Sequence, residues 1–130
     1  MPGYVCRRLQ DLLNEHAKPM RGSRIVVVGV TYKANIADSR ESPSLPIART
    51  LQTMGAELSY WDPYVDHWTV NDHSVPRVDN LEAGIARGDF DAVLLLQRHQ
   101  QLDVGHLQTS GVPVLDTRAV LQEQDSVERL

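Results

Sequence analysis

The stretch Arg24-Ile25-Val26-Val27-Val28-Gly29-Val30 decides the fold class. A continuous β-branched run has no polar face to turn toward water, so it reads as a strand buried on both sides in the middle of a parallel sheet. After a loop over 31–41, Ser42 offers an N-cap hydroxyl, Pro43 suits the first helical position and Gly55 supplies the C′ stop, which frames a helix over 43–54. Leu45, Ile47, Ala48, Leu51 and Met54 make its inner face. Pro46 removes one backbone bond toward Ser42, a loss the first turn tolerates. Residues 57–62, ended by Asp62-Pro63, then read as a second strand and complete a right-handed strand–helix–strand unit.

Upstream, residues 4–17 place Val5, Leu9, Leu12 and His16 at helical spacing, with Pro19 and Gly22 to stop the helix. Its apolar stripe needs a partner, either the chain's own sheet or a neighbouring domain. Downstream, 64–77 is polar and reads as a long excursion loop. Residues 81–86 fit a short helix, 91–96 a buried strand, 102–107 a short helix and 112–116 a last strand. A terminal helix is expected from about Arg118, with a fraying end from Gln122. Alternating strands and helices give an α/β fold whose ligands bind beyond the carboxyl ends of the strands.

At 130 residues the chain is one ordinary domain, and 42% hydrophobic with 23% charged residues describes a globular protein able to fold without staples. A formal charge of −4 argues against nucleic acid and anionic membranes as partners. The single cysteine, Cys6, excludes an intrachain disulfide and fits a reducing compartment, and no apolar run is long enough for a signal or a membrane span. A cytoplasmic location is the expectation. Only Lys18 and Lys33 are lysines, against eleven arginines.

The first strand ends where a dinucleotide-binding fold carries G-x-G-x-x-G, yet only Gly29 is present, followed by Val30, Thr31 and Tyr32. Close backbone approach to a pyrophosphate is therefore not provided, and no NAD is expected to bind this chain in the usual way. The same loop carries Tyr32, Lys33, Asp38, Arg40 and Glu41 ahead of the helix start. An aromatic face, an ammonium, a guanidinium and a helix N-terminus suit a nucleoside diphosphate; alternatively Arg40 pairs with Asp38 or Glu41 and clamps the loop. Arg118, after Asp116-Thr117, stands at the same sheet edge and either converges with Lys33 or serves its own segment. Asp62, Asp66, His67, Asp72 and His73 match no metal-ligand spacing and read as a solvated loop. His99 reads as a supporting or packing residue, and Cys6 as a packing residue without a nucleophile motif around it.

Taken together, Met1-Pro2-Gly3-Tyr4-Val5, Gly29-Val30-Thr31-Tyr32-Lys33, Asp38-Ser39-Arg40-Glu41-Ser42-Pro43, Gly55-Ala56, Tyr60-Trp61-Asp62-Pro63-Tyr64-Val65 and Asp116-Thr117-Arg118 resemble the C-terminal part of the UDP-glucose/GDP-mannose dehydrogenase family. The likeness is nearest in flavour to the UDP-N-acetylhexosamine 6-dehydrogenases. It implies a Rossmann-like parallel sheet with flanking helices, preceded by a helix: residues 1–21 as the tail of the central dimerisation-domain helix and 22–130 as the UDP-sugar-binding domain. Family enzymes oxidise the C6 alcohol of a nucleotide sugar to a carboxylate in two NAD-dependent steps, through a cysteine-bound intermediate. The resemblance assigns the NAD domain and that cysteine to parts not among these residues, so no catalytic residue is carried over and the chain alone is expected to be inactive. It implies Tyr32, Lys33 and Arg118 as contacts to the nucleotide sugar, with Arg40, Glu41 and Ser42 supporting the loop and helix start. Pro46 departs from the family pattern, which has a helix former there.

Two rivals stand beside this reading. A stand-alone interaction module would form a homo-oligomer through residues 4–17, and a receiver-like domain would need acidic residues where Gly29-Val30-Thr31 stands.

Overall fold

The structure, a computed structural model, describes residues 2–36 and 42–130. Its elements in chain order are α1 (Pro2–Glu15), β1 (Arg24–Val28), α2 (Ser44–Thr53), β2 (Glu57–Trp61), β3 (Thr69–Val70), β4 (His73–Ser74), α3 (Leu81–Ala86), β5 (Ala92–Leu95), α4 (Val104–Thr109), β6 (Val114–Asp116) and β7 (Val127–Arg129). Five strands form one parallel sheet in the order β2-β1-β5-β6-β7. The α/β class and the strand–helix–strand unit are as read from the sequence. The centre of the sheet is β5, not β1. Both are internal, with Ile25–Val28 and Ala92–Leu95 wholly buried, and a hydrophobic run alone does not distinguish the middle strand from its neighbour.

The two faces of the sheet are covered differently. Ile25, Ala92, Leu94 and Leu115 point into a core shared with α1 and α2, while Val26, Val28, Val93, Leu95 and Val114 point into one shared with α3 and α4. This is the alternation a pleated strand imposes, with helices on both sides because the sheet is parallel. Helix α1 seats Val5, Cys6, Leu9, Leu12 and Leu13 on the chain's own sheet. Each leucine so buried contributes about 2 to 3 kcal/mol. That accounts for the apolar stripe, and the self-association rival loses its premise, since Leu9 and Leu12 are 0% and 1% exposed. His16 is half-buried at the end of the stripe. The helix stops earlier than Pro19: Ala17 takes a left-handed φ of 59°, with Lys18 N–H donating to the Leu13 carbonyl and Ala17 N–H to that of Asn14.

Helix α2 ends as its sequence implies. Gly55 at φ 93° lets the Ala56 N–H reach the Leu51 carbonyl and its own N–H reach that of Gln52. At the other end the helix begins at Ser44 with Pro43 in the capping position, one residue later than read from the sequence, and Ser42 Oγ accepts from the Ser44 N–H at 3.2 Å just ahead of it.

Three expectations need correction. Residues 64–77 are not simply an excursion loop: β3 and β4 pair as an antiparallel hairpin across Asn71 and Asp72, both at positive φ. Val65, Trp68, Val70 and Val75 bury a small core beneath it against Val27, Ala48 and Tyr60, with the Trp68 ring edge-on to Tyr60 at 5.5 Å. Helix α4 begins two residues later than expected because Asp103 caps it, accepting from the His106 N–H. Lastly, no helix follows Arg118. Asp116 accepts from the N–H groups of Arg118 and Leu121, which turns the chain, and β7 then docks on β6 as a further parallel strand with Val127 buried. Arg8 of α1 pairs with Glu128 at 3.1 Å and ties this strand down. Among the described residues no helix is long and apolar enough to cross a membrane.

Candidate functional site at the carboxyl edge of the sheet

Val28, Leu95 and Asp116 end three adjacent strands in register. The loops leaving them therefore share one edge, the outer two separated by about 10 Å at roughly 4.8 Å per strand. The first carries Tyr32 and Lys33, the second Arg98 and the third Arg118, and all four residues are exposed. Tyr32 is 55% exposed, so its ring is open to a ligand instead of filling the core. Among the described residues neither Lys33, Arg98 nor Arg118 makes an ion pair. Asp116 instead turns its two oxygens to the backbone N–H groups of Arg118 and Leu121. Arg98 is the residue that sequence reading missed. Its signal was its place just past the Leu94-Leu95-Leu96 run, the position that marked His99.

Beneath these exposed groups lies a buried network. Asp62, 1% exposed, accepts from the Val30 N–H through Oδ2 at 2.8 Å and from the Tyr64 N–H through Oδ1 at 2.9 Å. His99, 0% exposed, joins it with Nε2 2.9 Å from Asp62 Oδ2, and its Nδ1 takes the Asn35 N–H at 2.8 Å. His99 is thus a supporting residue, as its sequence position implied. Gln97 Nε2 donates to the Tyr32 carbonyl at 3.0 Å, and Gln100 N–H donates to Asn35 Oδ1 at 2.7 Å. The loop after β1 is therefore laced to the loop after β5. Sequence reading ended a strand at Asp62 and counted its carboxylate in a solvated loop, whereas it is buried, and it assigned Asn35 and Gln97 nothing, because these contacts span 37 residues or more.

Helix α2 starts at the same edge. Ser44 Oγ donates to the Val30 carbonyl at 2.8 Å, which spends its proton and leaves it to accept from Ser42 Oγ at 2.9 Å. Ser42 thus lies bonded to Ser44 at the start of α2. Arg40 and Glu41 lie outside the described residues.

At the end of β1 the Val30 N–H is held by Asp62, and a side chain at Gly29 would overlap the Gln97 backbone, so both positions are committed to contacts within the chain. Among the described residues no three metal-ligating side chains converge. Cys6 is buried under α2, and burial pushes its thiol up to about 11, the reverse of a nucleophile's requirement. A groove of about 340 Å³ lies at the opposite, amino edge, lined by Lys18, Arg24, Phe90 and Asp91, where Asp91 already pairs with both cations.

The family model for the UDP binding domain of the UDP-glucose/GDP-mannose dehydrogenases matches residues 26–123. The chain belongs to that dehydrogenase family. An NDP-N-acetyl-D-galactosaminuronic acid dehydrogenase of Ralstonia solanacearum is 35% identical over 124 residues, covering 92% of this chain and 27% of that protein. A UDP-N-acetyl-D-mannosamine dehydrogenase of Methanococcus maripaludis is 35% identical over 99 residues, 76% of this chain and 21% of the relative. The chain thus spans about a quarter of the length of these relatives. Among solved structures, the NDP-N-acetyl-D-galactosaminuronic acid dehydrogenase from Methanosarcina mazei Go1 superposes over 100% of this chain and 28% of its own with a TM-score of 0.77 at 24% identity, a likeness of fold. In this dehydrogenase family the matched model spans every strand of the sheet except the beginning of β1 and the edge strand β7.

Proposed function

We propose that the chain is the nucleotide-sugar-binding part of an NAD-dependent 6-dehydrogenase that oxidises the C6 alcohol of a UDP-sugar, an N-acetylhexosamine by its nearest likeness, to a carboxylate. The observation that carries the reading is the row of three cationic loops at the carboxyl ends of β1, β5 and β6, with the exposed Tyr32 ring beside them. A diphosphate takes charge-assisted hydrogen bonds from Lys33 and Arg118, and Tyr32 lies against the nucleotide. Arg98, between those strands, adds a third cation. Ser42 supports the helix start through Ser44.

In this reading residues 1–21 are the end of the helix from a central dimerisation domain and 22–130 the UDP-sugar domain. The remaining domains of the dehydrogenase supply NAD and the nucleophilic cysteine, and the enzyme works in the cytoplasm, in polysaccharide biosynthesis. Titration calorimetry of the chain with UDP, a UDP-N-acetylhexosamine and NAD tests it. UDP and the UDP-sugar bind and raise the melting temperature in ligand excess, while NAD does neither. Binding of NAD without UDP overturns the proposal.

A further inference from the structure

Asp62 and His99 are buried side chains outside the cationic row, and the nucleotide contacts do not use them. Their hydrogen bonds have a fixed direction. The Asn35 N–H is a donor, so His99 Nδ1, 2.8 Å away, carries the lone pair, and the ring proton sits on Nε2. Nε2–H then faces two oxygens, Asp62 Oδ2 at 2.9 Å and Thr31 Oγ1 at 3.3 Å. Thr31 Oγ1 spends its own proton on the Lys33 carbonyl at 2.7 Å, which leaves its lone pairs toward the ring. Every polar atom of the cluster has a single consistent role. One imidazole therefore fixes the chain at residues 31 and 35 at once, while Asp62 fixes residue 30 through the Val30 N–H. Tyr32 and Lys33 stand between these points.

We infer that buried His99 and Asp62 are positioning residues for the nucleotide loop: His99 through its bond from the Asn35 N–H, and Asp62 through its bond from the Val30 N–H, hold residues 30–35 in the one arrangement that presents Tyr32 and Lys33 to the ligand. Asn35 completes it. At a φ of 61°, a conformation asparagine tolerates better than most residues, it turns its N–H to His99 while its Oδ1 accepts from the Gln100 N–H. The inference rests on the nucleotide reading of this edge, and it assigns to His99 and Asp62 no contact with the ligand.

Two substitutions separate positioning from bulk stability. His99→Asn puts Oδ1 in place of Nδ1, keeps an acceptor for Asn35 and abandons Asp62. His99→Gln keeps a donor toward Asp62 and leaves the Asn35 N–H without an acceptor. Calorimetry with UDP is expected to give His99→Gln about tenfold weaker binding and His99→Asn binding within about threefold of wild type, whatever the order of their melting temperatures. Equal affinities, or affinities that merely follow melting temperature, overturn the proposal. Should either variant fail to fold, Asn35→Gly on the exposed loop removes the Gln100 contact without touching the core. It weakens UDP several-fold at unchanged melting temperature if the loop must be held, and unchanged affinity overturns the claim. Amide exchange and the ring nitrogen resonances of the wild-type chain read the clamp without any ligand: a protected Asn35 amide with the proton on His99 Nε2 supports it, and exchange at a free-peptide rate refutes it. Failure of wild-type UDP binding alongside a protected Asn35 overturns the nucleotide reading and the positioning role that rests on it, while leaving the clamp as architecture.

Discussion

The α-carbon of Gly29 lies so close to Gln97 that a β-carbon on it would overlap the Gln97 carbonyl oxygen and stand 2.6 Å from the Gln97 β-carbon. The contact closes the end of β1 against the loop after β5, at a φ of 82° that only glycine adopts without strain. Gly29→Ala is expected to cost about 2 to 5 kcal/mol, the sum of an unfavourable φ and an overlap with backbone. Gly22→Ala, at φ 81° in open space, costs about 1 to 2 kcal/mol for the dihedral alone. Urea midpoints of the two variants measure the difference.

Lys33, Arg98 and Arg118 are exposed, so their removal tests ligand contact with little effect on folding. Each alanine substitution is expected to weaken UDP by about ten- to a hundredfold, the worth of a charge-assisted hydrogen bond, with a melting temperature within about 1 °C of wild type. Calorimetry at two salt concentrations adds a check, because screening weakens wild-type binding more than that of a variant with one cation fewer. Unchanged affinity in Lys33→Ala and Arg118→Ala would remove both from the site.

Asp91 reports on acid stability from the opposite edge. Burial raises its pKa, but hydrogen bonds from the Arg24 N–H, the Arg24 guanidinium and Lys18 outweigh burial and lower it from 3.8 to about 2. A carboxylate lowered in this way stabilises the fold fully above its unfolded pKa, and that contribution fades as pH falls from about 4 toward 2. Because Lys18 and Arg24 are 44% and 48% exposed, screening limits the gain to about 1 kcal/mol. Asp91→Asn is expected to lose this amount at neutral pH and to show a flatter stability profile between pH 4 and 2, read by chemical denaturation across that range.

Cys6 offers a clean reporter of opening. The thiol is 2% exposed, lies 3.7 Å from the Ile47 carbonyl and has its pKa pushed up to about 11 by burial. A disulfide reagent at neutral pH is expected to label it only as fast as α1 lifts from the sheet, and to label it at once in denaturant. Rapid labelling of the folded chain would show that α1 is not seated on this sheet.

Much of the architecture was legible because it rests on local chemistry. The β-branched and apolar runs at 25–28 and 92–95 form buried strands as read, Pro43 and Gly55 bracket α2, and 81–86 forms its short helix as read. The missed elements have weak local patterns. Residues 69–74 and 127–129 are mostly polar, and become strands because Trp68, Val70 and Val127 find a hydrophobic surface built by distant residues.

The sequence by itself determined the class of fold and the lack of a G-x-G-x-x-G run after β1, since each follows from residue types within a few positions of one another. Tertiary structure alone decided that β5 is the central strand, that α1 is seated on this sheet, and that Arg98 stands between Lys33 and Arg118. It also joined His99 to Asp62, 37 residues away. Strand order and buried hydrogen bonds depend on which distant segments meet, and no local pattern of hydrophobicity or capping specifies that meeting.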